Sequence, residues 1–137
     1  MGRVETDGGF WLQLVLMLLL FPLRIVAGVL LAALIHECGH LIAIRLSGGA
    51  VQRIELRAGG ARIVTGPMEP KEELICALAG PIAGLLTVFA WRAFRSLAAA
   101  GLVQTLFNLL PIYPLDGGRA VRAVRNICCK SRHFGVQ

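Results

Sequence analysis

The stretch LRIVAGVLLAALIHECGHLIAIRL, from Leu23 to Leu46, is apolar except for arginines near its ends and a polar cluster at positions 36–40. At 1.5 Å per residue, a helix of this length spans about 36 Å, which is enough to cross the ~30 Å hydrocarbon core of a bilayer. The stretch therefore predicts a membrane-spanning helix. Because polar side chains are costly in lipid, the cluster inside this helix is a candidate functional site.

The composition of the whole chain also indicates a membrane protein. Hydrophobic residues make up 56% of the 137 residues and charged residues 16%, whereas an average soluble domain has about 25% charged residues. A soluble protein this small must cover a large surface with polar groups, and this chain has few of them. The same composition excludes intrinsic disorder.

The apolar block around the predicted helix begins earlier, at Phe10. One helix from Phe10 to Leu46 would be about 55 Å long, far longer than the membrane core is thick. We therefore expect a break at Pro22 and Arg24, which leaves Phe10–Phe21 as a short N-terminal apolar helix that is tilted, paired in a hairpin or partly inserted. A cleaved signal peptide is disfavoured, because the chain stays apolar after the break.

Two further apolar segments complete the predicted membrane domain. They run from Leu74 to about Phe94 and from about Leu97 to Leu115. The predicted fold class is an all-α membrane protein, with a three-helix transmembrane core and the short N-terminal helix. We expect a single integral-membrane domain over residues 1–137, with a core at about 23–124 and a basic tail at 119–137.

Residues 47–73, between the first two core helices, are rich in glycine and proline. Within them, Arg53–Arg57 alternates polar and apolar residues, and a second short run, Ala61–Val64, follows Gly59 and Gly60. Such alternation around a glycine turn is typical of a β-hairpin. The sequence therefore predicts a small β-hairpin at the membrane surface.

The basic residues give the predicted helices an orientation. If the N-terminus, residues 47–73 and the tail face the cytoplasm, that side holds all of the 14 Lys and Arg residues except Arg24, Arg92 and Arg95. This asymmetry follows the positive-inside rule. The net charge of +6 does not indicate nucleic-acid binding, because the arginines are scattered between apolar blocks without interleaved aromatic residues.

The polar cluster has the pattern HExxH, formed by His36, Glu37 and His40. On a helix, residues four apart lie on one face, so the two imidazoles can bind the same Zn²⁺. Glu37 lies next to the metal and can take a proton from water there. The alternative is a polar seam between helices, which would leave three unneutralised polar residues in a metal-binding arrangement.

A catalytic zinc site needs a third protein ligand. His133 is one candidate, but it lies in the polar tail. Asp116 is the better candidate, because it ends an apolar segment where Pro111, Pro114 and the following glycines break the helix. In the predicted orientation, Asp116 and the HExxH motif lie at similar depth. A turn-capping role is the alternative for Asp116.

Three motifs in this order resemble the site-2 protease family of intramembrane zinc metalloproteases. They are HECGH at His36–His40, ALAGP at Ala77–Pro81 and NLLPIYPLDGGR at Asn108–Arg119. The resemblance covers about residues 23–124, and the chain is similar to the compact bacterial branch that includes the stage IV sporulation protease.

The resemblance implies a function for the three-helix core, which would be catalytic. One Zn²⁺ per chain would be bound by His36, His40 and Asp116. Glu37 would be the catalytic glutamate, and Asn108 would assist near the metal or the oxyanion. The implied activity is hydrolysis of membrane proteins or membrane-tethered precursors in regulated intramembrane proteolysis. It would take place near the cytoplasmic face of a bacterial inner membrane, with the tail in the cytoplasm. A regulatory membrane partner or a homo-oligomer is left open.

Two departures from the family pattern keep another function open. Family members commonly have an asparagine three residues after the proline of the ALAGP motif, where this chain has Gly84. The sequence also ends soon after Arg119, as expected of a minimal core or a truncated gene. The alternative function is a catalytically inactive membrane scaffold that binds substrates without cutting them. A metal-ion transporter is disfavoured, because the polar residues form a single cluster.

An intramembrane protease needs its substrate as an extended strand rather than a helix. The predicted hairpin follows the HExxH helix, and an exposed strand edge offers N–H and C=O groups to an incoming chain. We therefore expect substrate to bind as an added strand at Ile54 and Leu56, which lie on one face of the hairpin. The alternative is a surface turn with a solvated basic face.

Overall fold

The computed structural model describes the backbone of residues 3–134 and the side chains of residues 3–129. This part of the chain is mostly helical and contains one small sheet. In chain order, the elements are strand β1 (Arg3–Thr6), helices α1 (Gly8–Leu20) and α2 (Leu23–Leu46), strands β2 (Val51–Arg57) and β3 (Gly60–Thr65), helix α3 (Pro70–Leu86), a 3₁₀ helix (Thr87–Arg92), and helices α4 (Arg95–Asn108) and α5 (Asp116–Phe134).

Helices α1 and α2 are separated at Pro22, which confirms the predicted break. Phe21 is extended, because the ring of a following proline disfavours the helical conformation. The carbonyl of Pro22 then accepts the N–H groups of Ile25 and Val26, and α2 begins. Helix α1 is apolar, yet none of its residues is buried. Such a surface suits lipid better than water.

Helices α2, α3 and α4 pack against one another. Among the described residues, two segments are long and apolar enough to cross a membrane, Leu23–Leu46 and Pro70–Arg92, the second made of α3 and the 3₁₀ helix. Helix α4 has 14 residues and is therefore about 21 Å long. It ends before Pro111 and Pro114, which have no N–H to continue it. The three-helix transmembrane core stays a prediction.

The predicted hairpin is present as strands β2 and β3, which pair antiparallel. Gly59 in its turn has a φ of +91°, a conformation that residues with a Cβ disfavour. The structure adds one strand that the sequence analysis did not identify. Strand β1 pairs parallel with β2, which gives the order β1-β2-β3. The N-terminal segment and the hairpin therefore lie on the same side of the helices.

The sequence predicts a basic tail at residues 119–137, but these residues, as far as Phe134, belong to helix α5, which begins at Asp116. The helix packs on α3, and its small residues Ala120 and Ala123 are buried. A carboxylate in the first turn also suits the positive end of the helix dipole. The start of α5 thus fixes the place of Asp116.

Candidate metal centre

Three buried side chains from distant parts of the chain meet between the helices. His36 and His40 lie one turn apart on α2, and Asp116 begins α5. Nε2 of His36 lies 3.0 Å from Oδ2 of Asp116, and Nε2 of His40 lies 3.1 Å from the same oxygen. The two nitrogens are 3.2 Å apart. The structure therefore brings the three predicted ligands together, and each is less than one-tenth exposed.

The donor set fits a zinc ion. Tetrahedral Zn²⁺ with ligands at about 2.0–2.1 Å keeps neighbouring donor atoms about 3.3 Å apart, close to the three separations in this cluster. Two imidazole nitrogens and one carboxylate oxygen are typical of a catalytic site, in which the fourth position is kept for water or substrate. The burial of three converging donors is itself an argument for a cation, because buried polar groups need partners.

Helix α3 orients His40. Nδ1 of His40 donates a hydrogen bond of 2.7 Å to the carbonyl of Cys76, which leaves the lone pair on Nε2 for a metal. One turn later, Gly80 provides room for the ring, since a side chain at that position would overlap Nε2. The Ala-Gly-Pro motif therefore supports a candidate ligand directly.

The glycines after Asp116 let α5 begin close against the preceding loop. A Cβ on Gly118 would lie 2.5 Å from the carbonyl carbon of Ile112, and a Cβ on Gly117 would overlap the carbonyl of Leu109. Neither position can therefore hold a larger residue without moving the loop or the helix. The motif DGG thus places the carboxylate by close backbone packing.

The surroundings of Asp116 favour its ionised form. Burial alone would raise the pKa of this carboxyl, but the close imidazoles of His36 and His40 outweigh burial and hold the pKa below its usual value. The guanidinium of Arg119 lies 3.5 Å from Oδ1, the other carboxylate oxygen. An ionised carboxylate is the form that binds a metal.

The two predicted catalytic residues border the same centre. Glu37 follows His36 on α2 and lines the cleft that contains the ligands. The side-chain nitrogen of Asn108, the last residue of α4, lies 3.4 Å from Nε2 of His36. Their catalytic roles stay predictions. The side chain of His133, the other candidate ligand, lies outside the described residues.

A cleft of about 600 Å³ extends from the cluster to the sheet. Its lining includes ten consecutive residues, Arg57 to Gly66, which contain the whole of β3. Successive side chains of a strand point to opposite faces of the sheet. Because every residue of β3 lines the cleft, the cleft must lie along the edge of this strand rather than over one face. In the described part of the chain, β3 is an outer strand with only β2 beside it. The free edge of β3 therefore borders the candidate metal centre.

Ile54 and Leu56 do not lie at this edge. Both are on β2, the central strand, where Ile54 is paired with Val4 on one side and Ile63 on the other, and Leu56 is likewise paired on both sides. Neither is among the described residues that line the cleft. Strand β1 thus occupies the other edge of the predicted hairpin.

The sequence analysis did not identify the contacts that hold α5 against α3. Arg122 of α5 forms an ion pair with Glu73 of α3, and its guanidinium carbon lies 5.2 Å from the centre of the Tyr113 ring. All three residues line the cleft. The available signal was weak: two opposite charges, each next to an apolar segment, with no motif to pair them.

Comparisons with known proteins give relatives for most of the chain. No family model matches it. Rip3 of Mycobacterium tuberculosis, a candidate zinc metalloprotease, is 35% identical over 117 residues, covering 71% of this chain and 30% of Rip3. Stage IV sporulation protein FB of Bacillus subtilis is 30% identical over 131 residues, covering 85% of this chain and 46% of the relative. The chain thus spans less than half the length of either curated relative.

A solved structure extends the comparison to the fold. The site-2 protease from Methanocaldococcus jannaschii matches with a TM-score of 0.76 and 24% identity, over 90% of this chain and 68% of the other. Fold and site together define a mostly helical protein with two candidate membrane spans and a buried cluster that can hold a metal ion. The chain is thus similar to proteins named as a zinc metalloprotease and a site-2 protease, which confirms the resemblance predicted from its three motifs.

Proposed function

We propose that this chain is a zinc endopeptidase that cleaves membrane proteins or membrane-tethered precursors, in regulated intramembrane proteolysis. The observation that carries the proposal is the buried cluster of His36, His40 and Asp116 with Glu37 beside it in the cleft. Relatives named as zinc metalloproteases support both the metal and the reaction. Because the chain spans less than half of these relatives, the activity is proposed from its own residues.

Each residue of the cluster has a role in the proposed hydrolysis. His36, His40 and Asp116 would hold one Zn²⁺ per chain, and the bound ion supplies water activation and carbonyl polarisation. Glu37 accepts a proton from the attacking water and later donates it to the leaving amine. Asn108 donates its amide hydrogens to the carbonyl oxygen as that oxygen gains negative charge. The position of Asn108 at 3.4 Å from His36 supports this role.

The substrate would bind as an extended strand along β3. A helical substrate has its N–H and C=O groups bonded internally, and the edge of a sheet provides replacement partners once the helix unwinds. Support comes from the free edge of β3, which borders the cleft. We therefore propose β3 as the pairing strand in place of Ile54 and Leu56.

In the membrane, the proposed single domain crosses the bilayer with three helices. These are α2, α3 with its 3₁₀ extension, and α4, while the shorter apolar helix α1 leads from the sheet to the start of α2. The irregular residues 109–115 are tolerated at that depth because N–H groups of this segment, those of Leu109, Ile112 and Leu115 among them, are hydrogen-bonded within the chain. Its last three residues also line the cleft. The sheet and α5 would face the cytoplasm of a bacterial cell, with the positive-inside rule as support.

The experiment that tests the function compares wild type with Glu37→Gln in cells. Mass spectrometry of membrane fragments should find new peptide ends that depend on wild-type protein and disappear with Glu37→Gln. Zinc content should stay the same in both, because Glu37 is not a proposed ligand. Identical fragments in both strains would refute the proposed protease activity, and this is the result expected of an inactive scaffold. The scaffold is not favoured, since binding alone gives no reason to keep Glu37 in the cleft.

A further inference from the structure

One nitrogen of the metal cluster has no partner in the described part of the chain. His36 is only 2% exposed, and its Nδ1 makes no hydrogen bond. If Nε2 binds a metal, Nδ1 carries the hydrogen, and a buried N–H without an acceptor is costly. The other histidine differs, because Nδ1 of His40 donates to the carbonyl of Cys76.

Helices α3 and α4 pack closely beside this nitrogen. Gly84 of α3 permits this close packing. A Cβ at this position would lie 3.5 Å from Nδ1 of His36, 2.5 Å from Oγ1 of Thr105 and 3.7 Å from the carbonyl oxygen of Gly101. The hydroxyl of Thr105 and the unpaired nitrogen of His36 therefore both lie beside Gly84.

The hydroxyl of Thr105 is able to accept a hydrogen bond there. Thr105 is 3% exposed, and its Oγ1 donates its own hydrogen to the carbonyl of Pro81 at 3.3 Å. A hydroxyl that donates once still has lone pairs to accept with.

We propose that Thr105 is the positioning residue of His36: once Nε2 of His36 is held by the metal, the hydroxyl of Thr105 accepts the Nδ1 hydrogen beside Gly84. This fixes the ring with Nε2 toward Asp116, as the carbonyl of Cys76 does for His40. Partners of this kind orient a ligand and raise its basicity, and their loss typically weakens metal binding about 10–100-fold. The role rests on the proposed metal centre, but it adds a residue from α4 that no motif identified.

Thr87 provides a matched control in the same helix crossing. Its hydroxyl is also buried and donates to the carbonyl of Gly84 at 2.7 Å. Thr87→Val therefore removes a comparable hydroxyl hydrogen bond without changing the acceptor proposed for His36. Thr105→Ser keeps the hydroxyl and removes only a methyl group, so it separates hydrogen bonding from packing.

The experiment measures zinc affinity of the purified full chain by competition with a chelator. We expect Thr105→Val to bind zinc about 10–100-fold more weakly than wild type, Thr105→Ser to recover most of the affinity, and Thr87→Val to bind as wild type does. If Thr105→Val does not fold, the same comparison uses Thr105→Ala against Thr87→Ala. Proteolysis is not the readout, so the result does not depend on a known substrate.

Two results would overturn the role. Equal zinc affinity in wild type and in Thr105→Val would refute the positioning of His36 while leaving the metal centre intact. An equal loss in Thr87→Val, or no recovery in Thr105→Ser, would show that packing rather than the hydroxyl supports the site. A wild-type chain that binds no zinc would instead refute the metal centre of the proposed function, and the positioning role with it.

Discussion

Gly80 of α3 lies directly against the imidazole of His40 of α2, so close that any side chain at position 80 would overlap Nε2. The same ring donates a hydrogen bond from Nδ1 to Cys76, one turn earlier on α3. Helix α3 therefore sets both the position and the orientation of a candidate metal ligand. The glycine of the Ala-Gly-Pro motif is therefore explained by the space that the His40 ring needs, which the sequence pattern alone does not show.

Replacing Gly80 with alanine should remove most of the bound zinc. The added methyl group must displace the His40 ring or separate α2 from α3, and packed helices resist such overpacking. We expect an affinity at least about tenfold below wild type, as for the loss of other groups that orient a ligand. Gly8→Ala is the control, because no atom lies within 4 Å of a Cβ there. Wild-type zinc affinity in Gly80→Ala would contradict this account.

Substitutions of the three proposed ligands and of Glu37 should have different effects on metal binding and on catalysis. His36→Ala, His40→Ala and Asp116→Ala should each lose most of the zinc, which should be about one ion per chain in wild type. Glu37→Gln should keep the zinc and lose cleavage, because its carboxylate acts on protons and not on the metal. Elemental analysis and a cleavage assay on the same preparations check both points. Retained cleavage in Glu37→Gln would remove Glu37 from the mechanism.

The sequence was sufficient where local geometry determines the site. A spacing of four residues places His36 and His40 on one helix face whatever the rest of the chain does. Asp116 could be identified because helix-breaking residues surround an acidic group at membrane depth. In both cases, the signal is a polar residue in a segment where lipid would otherwise exclude it.

The sequence was insufficient where the arrangement depends on distant pairing. The outer edges of the sheet depend on β1, whose four residues are too few for a periodic pattern. Without β1, a two-stranded hairpin would leave one edge of β2 exposed, and Ile54 and Leu56 would be available to substrate. Thr105 and Arg122 could not be identified from the sequence for the same reason. Only the packing of α4 and α5 on α3 brings these two residues close to the groups that they are paired with above.

The proposed orientation can be tested with the chain's own cysteines. Cys128 and Cys129 on α5 are exposed, and the positive-inside rule assigns them to the cytoplasm. A membrane-impermeant thiol reagent should label them only after the inner face of the membrane is opened. Cys38 is exposed as well, so the measurement uses a Cys38→Ser background, while Cys76 is buried and needs no change. Labelling in intact cells would reverse the orientation.

The last prediction concerns the edge of β3. Successive residues of an antiparallel strand direct their N–H groups to opposite sides. Of Arg62→Pro and Ile63→Pro, one therefore removes an N–H of the β2–β3 ladder, and the other removes an N–H from the free edge beside the cleft. The first should destabilise the sheet. The second should keep zinc and thermal stability, and should reduce cleavage about tenfold if substrate loses one backbone hydrogen bond there.

Strand β1 supplies the control for this prediction, because it forms the opposite edge of the same sheet. Val4→Pro and Glu5→Pro make the same change away from the cleft, and whichever of them leaves the sheet intact should cleave as wild type does. Proline at Ile54 or Leu56 should instead destabilise the sheet, since both residues are paired on both sides. Wild-type cleavage in both β3 variants would refute strand addition and leave the sheet with a packing role alone.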